Sequence, residues 1–441
     1  MRFLNAASFL LAASAAVAAP ALADDTKPAT VPPATTPPAS AETQPPATTT
    51  ADPIDPAGSS DDLNDEIARM RPRPAGLLPN GPISLIDPLW DDMNAKLDKS
   101  IGLKVGAAYT AVLQRSSESS DDERNASGGD TDLFAKMRFF GDDKSPTRGV
   151  LGVYGECRRG FGDPVPKDLS AKFDSLWRTT NGFGEQKSAL TQCWWEQHMA
   201  KDNLVVTFGK VDPDNFYNKN RYQSDNTAFL SQAFSANPAR KHPGNGLGAN
   251  VLYRLAKEWY ATTGVNDANG SKMTSGFHSI DQGQLFYAVE AGWTPTFEDQ
   301  GKGAYRLTAW HIDDATIEGI PQDHGIALSC EQELCTHYVP FFRAAWSQGD
   351  ATGVGQFVCG GIGLEGVVLG KADLTGIGVA WGDPTDQSYR NQLGGEVFHR
   401  FQLSPDVQLT VGYQYIVDPA KAPSSSHGPV GVFEVRIRIE F

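Results

Sequence analysis

Residues 433–441 alternate without a break. Phe433, Val435, Ile437, Ile439 and Phe441 are apolar, and Glu434, Arg436, Arg438 and Glu440 between them are charged. Successive side chains of a β-strand point to opposite faces, so this stretch reads as a strand with one greasy side and one ionisable side. The same phase recurs upstream. Val407, Leu409, Val411, Tyr413, Tyr415 and Val417 alternate with Gln408, Thr410, Gly412 and Gln414, and Leu103, Val105, Ala107, Tyr109 and Ala111 alternate with Lys104, Gly106, Ala108 and Thr110. Leu285, Tyr287, Val289, Ala291 and Trp293 enclose Glu290, while Tyr305, Leu307 and Ala309 alternate with Arg306 and Thr308. Further segments lie near 132–140, 149–159, 192–199, 204–211, 248–262, 337–347, 355–367, 373–382 and 393–403, giving fourteen, and the stretches 160–190 and 212–247 have room for two more. The separators alternate between short turns such as Ser404-Pro405-Asp406 and long polar loops such as Pro419 to Pro429. One short end and one long end is the habit of a transmembrane β-barrel, and an all-β antiparallel barrel of about 16 strands is the fold predicted.

If the apolar faces meet lipid, the other faces line a lumen. The inward set is Lys104, Lys136, Arg138, Glu156, Arg158, Arg254, Glu258, Glu290, Arg306, Arg343, Glu396, Arg400, Glu434, Arg436, Arg438 and Glu440: ten basic and six acidic side chains. Ionised groups inside a barrel are affordable where water reaches them, so this lining argues for a wet channel. A soluble sandwich shows similar alternation, but it does not account for one-sided greasiness in nearly every strand with Trp259, Trp293 and Trp346 near strand ends. The composition agrees: 40% hydrophobic, 21% charged, with 44 Gly and 10% aromatic residues.

The N-terminus reads differently. Arg2 precedes a small and apolar run from Phe3 to Ala19, and Ala21-Leu22-Ala23 is a cleavage site before Asp24-Asp25, so residues 1–23 are expected to be an export signal. Residues 24–84 form a Pro-, Thr- and Ala-rich spacer, expected to be disordered, with at most one short helix over 61–70. Residues 85–441 form the barrel domain, opened by a short helix over Asp87–Ile101. Asp87 can cap it, Pro88 fits its first turn, and Leu89, Met93 and Leu97 share one face. The helix reads equally as a plug or as a cover for one barrel end. After residue 25 no apolar run approaches the length of a helical span, roughly 18 residues.

The net charge of −15 argues against nucleic acid as a partner. The exported chain carries five cysteines, of which Cys330 and Cys335 are expected to close a small loop disulfide. Their spacings do not make a zinc site, and the eight His are scattered, so neither metal nor cofactor is called. The acidic runs Asp121-Asp122-Glu123 and Asp130-Thr131-Asp132 could take a cation, but read first as a solvated surface loop. No catalytic motif is present. Arg beside Glu and aromatic rings suits sugars, because hydroxyls accept from one, donate to the other, and present apolar faces to rings. The pathway candidates are Glu156, Arg158, Trp194, Trp195, Glu196, Arg254, Glu290, Arg306 and Arg343. The stretch Cys193-Trp194-Trp195-Glu196-Gln197-His198 is read as a greasy slide. The competing view puts one Trp in the lipid belt and pairs Glu196 with a lumen Arg.

Trp194-Trp195-Glu196-Gln197 leads to Gly209-Lys210-Val211-Asp212-Pro213, then Phe216-Tyr217, Asn226, Phe229-Leu230-Ser231, Ala233-Phe234 and Asn237-Pro238. In this order the motifs resemble the carbohydrate-selective porins of the OprB family. The Leu403 to Pro419 block and the final Phe agree, and the resemblance covers about residues 85 to 441. It implies a sixteen-stranded outer-membrane barrel through which monosaccharides, glucose above all, diffuse past an Arg- and Glu-lined constriction. Trp194, Trp195 and Glu196 carry over as motif matches. The spacer and the five cysteines depart from the family. The partners expected are small carbohydrates, outer-membrane lipid, the barrel assembly machinery acting through Phe441 as an insertion signal, and further copies of the chain. An outer-membrane barrel enzyme, a lipase or glycosidase, and a secreted β-sandwich lectin are the alternatives. Solubility without detergent separates the lectin from the rest.

Overall fold

The computed structural model describes residues 76–78, 87–142, 144–335, 337–421 and 428–441. The export signal, the helix over 61–70 and nearly all of the spacer lie outside the described residues. Sixteen long strands follow one another: β1 (Leu103–Ser116), β2 (Asn125–Phe140), β3 (Arg148–Gly160), β4 (Gln186–Met199), β5 (Leu204–Val211), β6 (Gly246–Ala256), β7 (Trp259–Asp267), β8 (Leu285–Trp293), β9 (Gly301–Ile312), β10 (Asp323–Gln332), β11 (Tyr338–Ser347), β12 (Val354–Glu365), β13 (Leu374–Pro384), β14 (Gln392–Ser404), β15 (Val407–Ile416) and β16 (Val430–Glu440). Each pairs antiparallel with the next, and β16 returns to β1 with Tyr109 opposite Ile439 and Leu113 opposite Val435. The closed ring leaves no free edge, the condition for a sheet to cross a membrane. Among the described residues no helix is long and apolar enough to cross one. A closed single sheet also excludes the sandwich lectin.

The sixteen strands are not distributed as the periodicity predicts. The stretch 248–262 is two strands, β6 and β7, joined by the two-residue turn Lys257-Glu258, so Glu258 sits in a turn and not on the lumen face. Strand β10 is absent from the prediction because its outward row, His324, Ile326, Leu328 and Cys330, begins and ends weakly. The stretches 160–190 and 212–247 hold no additional strand, only the ends of neighbouring ones: Gly160 closes β3, residues 186–190 start β4 and residues 246–247 start β6. The rest are long connections with one-turn elements, including a 3-10 helix at Pro166–Phe173 and a helix, α2, at Gln232–Ser235. Pro164, Pro166, Pro238 and Pro243 lack the N–H that a central strand needs.

Outward faces are apolar and open to lipid. Leu113, Leu133, Val289, Leu307, Ile326 and Phe433 are all exposed. Burying such rows in hydrocarbon is worth about 25 cal/mol per Å², which anchors the barrel. At the short-turn end Trp259 stacks on Trp293 at 5.6 Å, and Trp293 on Tyr305 at 5.2 Å, an aromatic girdle at headgroup level.

The expected helix is present as α1, Asp87–Ile101. It docks by a different face from the apolar one. Asn94 Oδ1 accepts from Val105 N at 3.0 Å, Asp98 lies 3.4 Å from Arg138 and 3.6 Å from Lys104, and the Trp90 ring sits 6.3 Å from that of Phe441. Leu89 and Met93 remain exposed. The helix thus covers the foot of β1 and β2 and is held by polar contacts.

The lumen is not uniformly polar. Inward positions of β11, β12 and β14 carry Phe341, Phe357 and Phe398, which pack with Phe229 and Phe234 of the 212–245 connection into one buried cluster. Phe229 lies 4.9 Å from Phe398, 4.7 Å from Phe234 and 5.6 Å from Phe341, ring to ring. The lumen beside β10–β14 is therefore filled by an apolar core. Phe229→Ala removes the ring at its centre and is expected to cost ~3–5 kcal/mol of this packing. The barrel should still form, with heat-modifiable migration retained, while single-channel conductance in planar bilayers rises. Unchanged conductance would show that the cluster does not set the opening.

Candidate solute pathway

The long connections fold into the barrel because wall charges hold their backbone. Arg343 on β11 donates to the carbonyls of Phe234, Ala236 and Asn218 at 3.0, 2.7 and 3.0 Å. Glu396 on β14 accepts from Leu230 N and Ser231 N, both at 2.8 Å. Glu290 on β8 accepts from Asn218 N at 2.6 Å, and Glu331 on β10 from Arg221 N at 2.7 Å. Arg436 on β16 donates to Asp225 O at 2.7 Å and Ala228 O at 2.9 Å. Arg306 on β9 reaches Lys219 O at 3.3 Å and pairs with Glu331 at 3.2 Å, both side chains 1% exposed. Hydrogen bonds with one ionised partner are worth roughly twice neutral ones, so they offset much of the cost of burying these charges. Glu290, Arg306 and Arg343, predicted as pathway residues, are therefore anchors behind the inserted segment.

The motif residues have matching local roles. Gly209 has φ +135°, and a Cβ there would lie 2.4 Å from Cys193 O, so only glycine fits beside β4. Asp212 caps the turn at Pro213–Phe216 by accepting from Asp214 N at 3.0 Å. Ser231 caps α2, and Asn237 Nδ2 donates to Asn218 Oδ1 at 3.0 Å, tying the segment to itself.

Against β3 lies a cavity of 280 Å³, with Tyr154, Glu156 and Arg158 on the wall and residues of the 161–185, 212–245 and 268–284 connections opposite. Arg158 Nε donates to Asp130 at 2.7 Å and its Nη2 to Glu156 at 2.5 Å, while Lys272 Nζ donates to Glu156 at 2.8 Å. Asp130 and Asp132 are buried on the inward face of β2, not in a surface loop as their sequence suggests. Asp130, Asp132 and Glu156 bring carboxylate oxygens within 4.8 Å of one another. Arg158, Lys272 and Arg438, the last 3.6 Å from Asp132, balance them, so the cluster is an internal salt network. Across the cavity Asp225 accepts from Gly182 N at 2.5 Å, and Arg221 pairs with Glu333 at 2.5 Å and Glu365 at 3.1 Å. Burial and the neighbouring Arg240 push the His242 imidazole down to about 4, so it faces the cavity neutral at pH 7.

The other predicted residues separate. Trp194 points inward but is buried, donating from Nε1 to Glu196 at 2.7 Å, and Glu196 pairs with Lys136 at 3.3 Å, a lysine where an arginine was anticipated. Neither Trp194 nor Glu196 lines the cavity. Trp195 faces outward, its ring 5.5 Å from Phe139 and 6.1 Å from Phe140, and belongs to the lipid belt. Arg254 lies near the Lys257-Glu258 turn and away from the cavity. Cys330 and Cys335 do not form the expected disulfide: Cys330 lies in the outward row of β10 and Cys335 in a left-handed turn at φ 54°. Lys167, Arg178, Arg221, Asp225 and Lys272, all cavity-lining, escaped the sequence reading because they lie on connections without periodicity.

A family model for the carbohydrate-selective porins, OprB family, matches residues 87–317, more than half of the chain. The chain belongs to that family. Its barrel is similar to the high-pH structure of Pseudomonas putida OprB, with TM-score 0.66 and 17% identity over 80% of this chain and 97% of the other. It is also similar to the low-pH structure of the same protein, with TM-score 0.51 and 14% identity over 80% and 96%. At these identities the likeness concerns the fold. Nothing matches among the curated proteins. This porin is accordingly a non-enzymatic, carbohydrate-selective channel of the bacterial outer membrane.

Replacing Arg343 by Met strands three buried carbonyls, each costing about 1–3 kcal/mol unless water reaches it. The expected outcome is a larger and noisier single-channel current, with the barrel still inserted.

Proposed function

We propose that this porin passes monosaccharides such as glucose by passive diffusion, with the constriction at the cavity beside Glu156 and Arg158. The observation that carries this reading is the division of the lumen: one side is packed with apolar rings around Phe229, and beside β3 lies a small polar cavity lined by both signs of charge. Sugar hydroxyls can accept from Arg158 and donate to Glu156, which lie side by side in the cavity wall.

Liposomes containing the purified protein should swell in isosmotic glucose, and glucose should reduce the ion current through single channels. An ion current indifferent to glucose would remove the sugar claim. Arg158→Ala is expected to raise the half-blocking glucose concentration about tenfold, the equivalent of ~1.4 kcal/mol. Trp195→Ala, altered only on the lipid side, should leave that concentration unchanged.

A further inference from the structure

The charges around the cavity are unequally committed. Six Lys or Arg side chains line it, against four carboxylates. Every carboxylate already has a donor: Glu156 is held by Lys272 and Arg158, Asp225 by Gly182 N and Thr180, Asp214 by Arg240, and Asp212 by Asp214 N. Lys167 and Arg178, both on the 161–185 connection, have no ion-pair partner among the described residues, and the Arg178 side chain is exposed. Lys241, on the other inserted connection, feels Arg178 as a like charge. Lys167 is itself pushed down to about 8 by burial and by the positive charges of Arg178, Arg158 on β3 and Lys272 on the 268–284 connection, with Asp168 opposing. An acidic chain of net charge −15 thus concentrates uncompensated positive charge at the opening left in its lumen.

Resting on the sugar-channel reading, we propose that the preferred solutes are monosaccharides bearing a carboxylate, such as aldonates or uronates, whose anionic group is met by Lys167 and Arg178 while Arg158 and Glu156 take the hydroxyls. A planar guanidinium matches a carboxylate with two parallel hydrogen bonds, and a neighbouring ammonium adds charge without fixed geometry. Neutral sugars gain nothing from this pair.

The test uses the full chain in planar bilayers, comparing glucose and glucuronate as blockers of the ion current at pH 7 and low salt. Glucuronate should half-block at a concentration roughly tenfold below that of glucose, and the ratio should shrink toward one in 1 M salt, where screening is short-ranged. Raising the pH from 7 to 9 should reduce the ratio as Lys167 loses its proton, and Lys167→Gln should remove that pH response. In the Lys167→Gln, Arg178→Gln double variant the two solutes should block about equally. Glucose block with glucuronate no better overturns the anion preference and leaves the sugar channel standing. An ion current that neither solute blocks overturns both. The wild-type comparison decides the matter even if the double variant does not insert.

Discussion

The molecule depends on hydrogen bonds between ionised side chains of the barrel wall and the peptide backbone of a segment folded inside it. A connection of the length of 212–245 would otherwise carry its N–H and C=O groups into water outside the membrane. Here Arg343, Glu396, Glu290, Glu331 and Arg436 meet those groups from five different strands. The segment cannot slide without breaking several charge-assisted bonds at once, and each broken bond leaves a buried charge unsolvated. The dry cluster at Phe229 adds apolar packing to the same clamp, so position and rigidity come from different forces.

This explains why an interior of Arg and Glu need not be a water-filled tube. The alternation that gives each strand a polar inner face is the same in a wet channel and in a filled one. The sequence reading took charge as a sign of water, which holds at Arg158 and Lys272 but not at Arg306 or Arg343. The difference lies in what the opposite side of the lumen supplies. Where the inserted segment offers carbonyls and N–H groups, the charge is buried; where it offers side chains and space, the charge faces solute.

Strand phase was legible because lipid enforces it at every second residue, and β1, β15 and β16 appear in the sequence almost as they stand. The inserted connections were not legible, because backbone-directed contacts leave no period and no residue-type signature. Strand β10 was lost to an outward row that begins with His324 and ends with Cys330, and the 248–262 run hid a turn whose Lys257 and Glu258 continue the charged pattern. The motif pattern from Trp194 to Pro238 did mark the right region, yet its residues build the fold of the segment: Gly209 allows close approach, Asp212 and Ser231 cap turns, and Phe229 fills the core. Of the cavity residues on the connections, Arg221 and Asp225 lie between those motifs, whereas Lys167, Arg178 and Lys272 lie outside them.

Carbonyl and N–H groups are the same whatever side chain a residue carries. A wall that grips them is indifferent to most substitutions along 212–245, provided the caps, the core phenylalanines and the backbone path survive. Placement and chemistry of the segment are thereby uncoupled: side chains turned toward the opening can be exchanged while the clamp stays as it is. One barrel with one lipid-facing surface could in this way be fitted to different solutes by changes confined to the few positions that the clamp does not read.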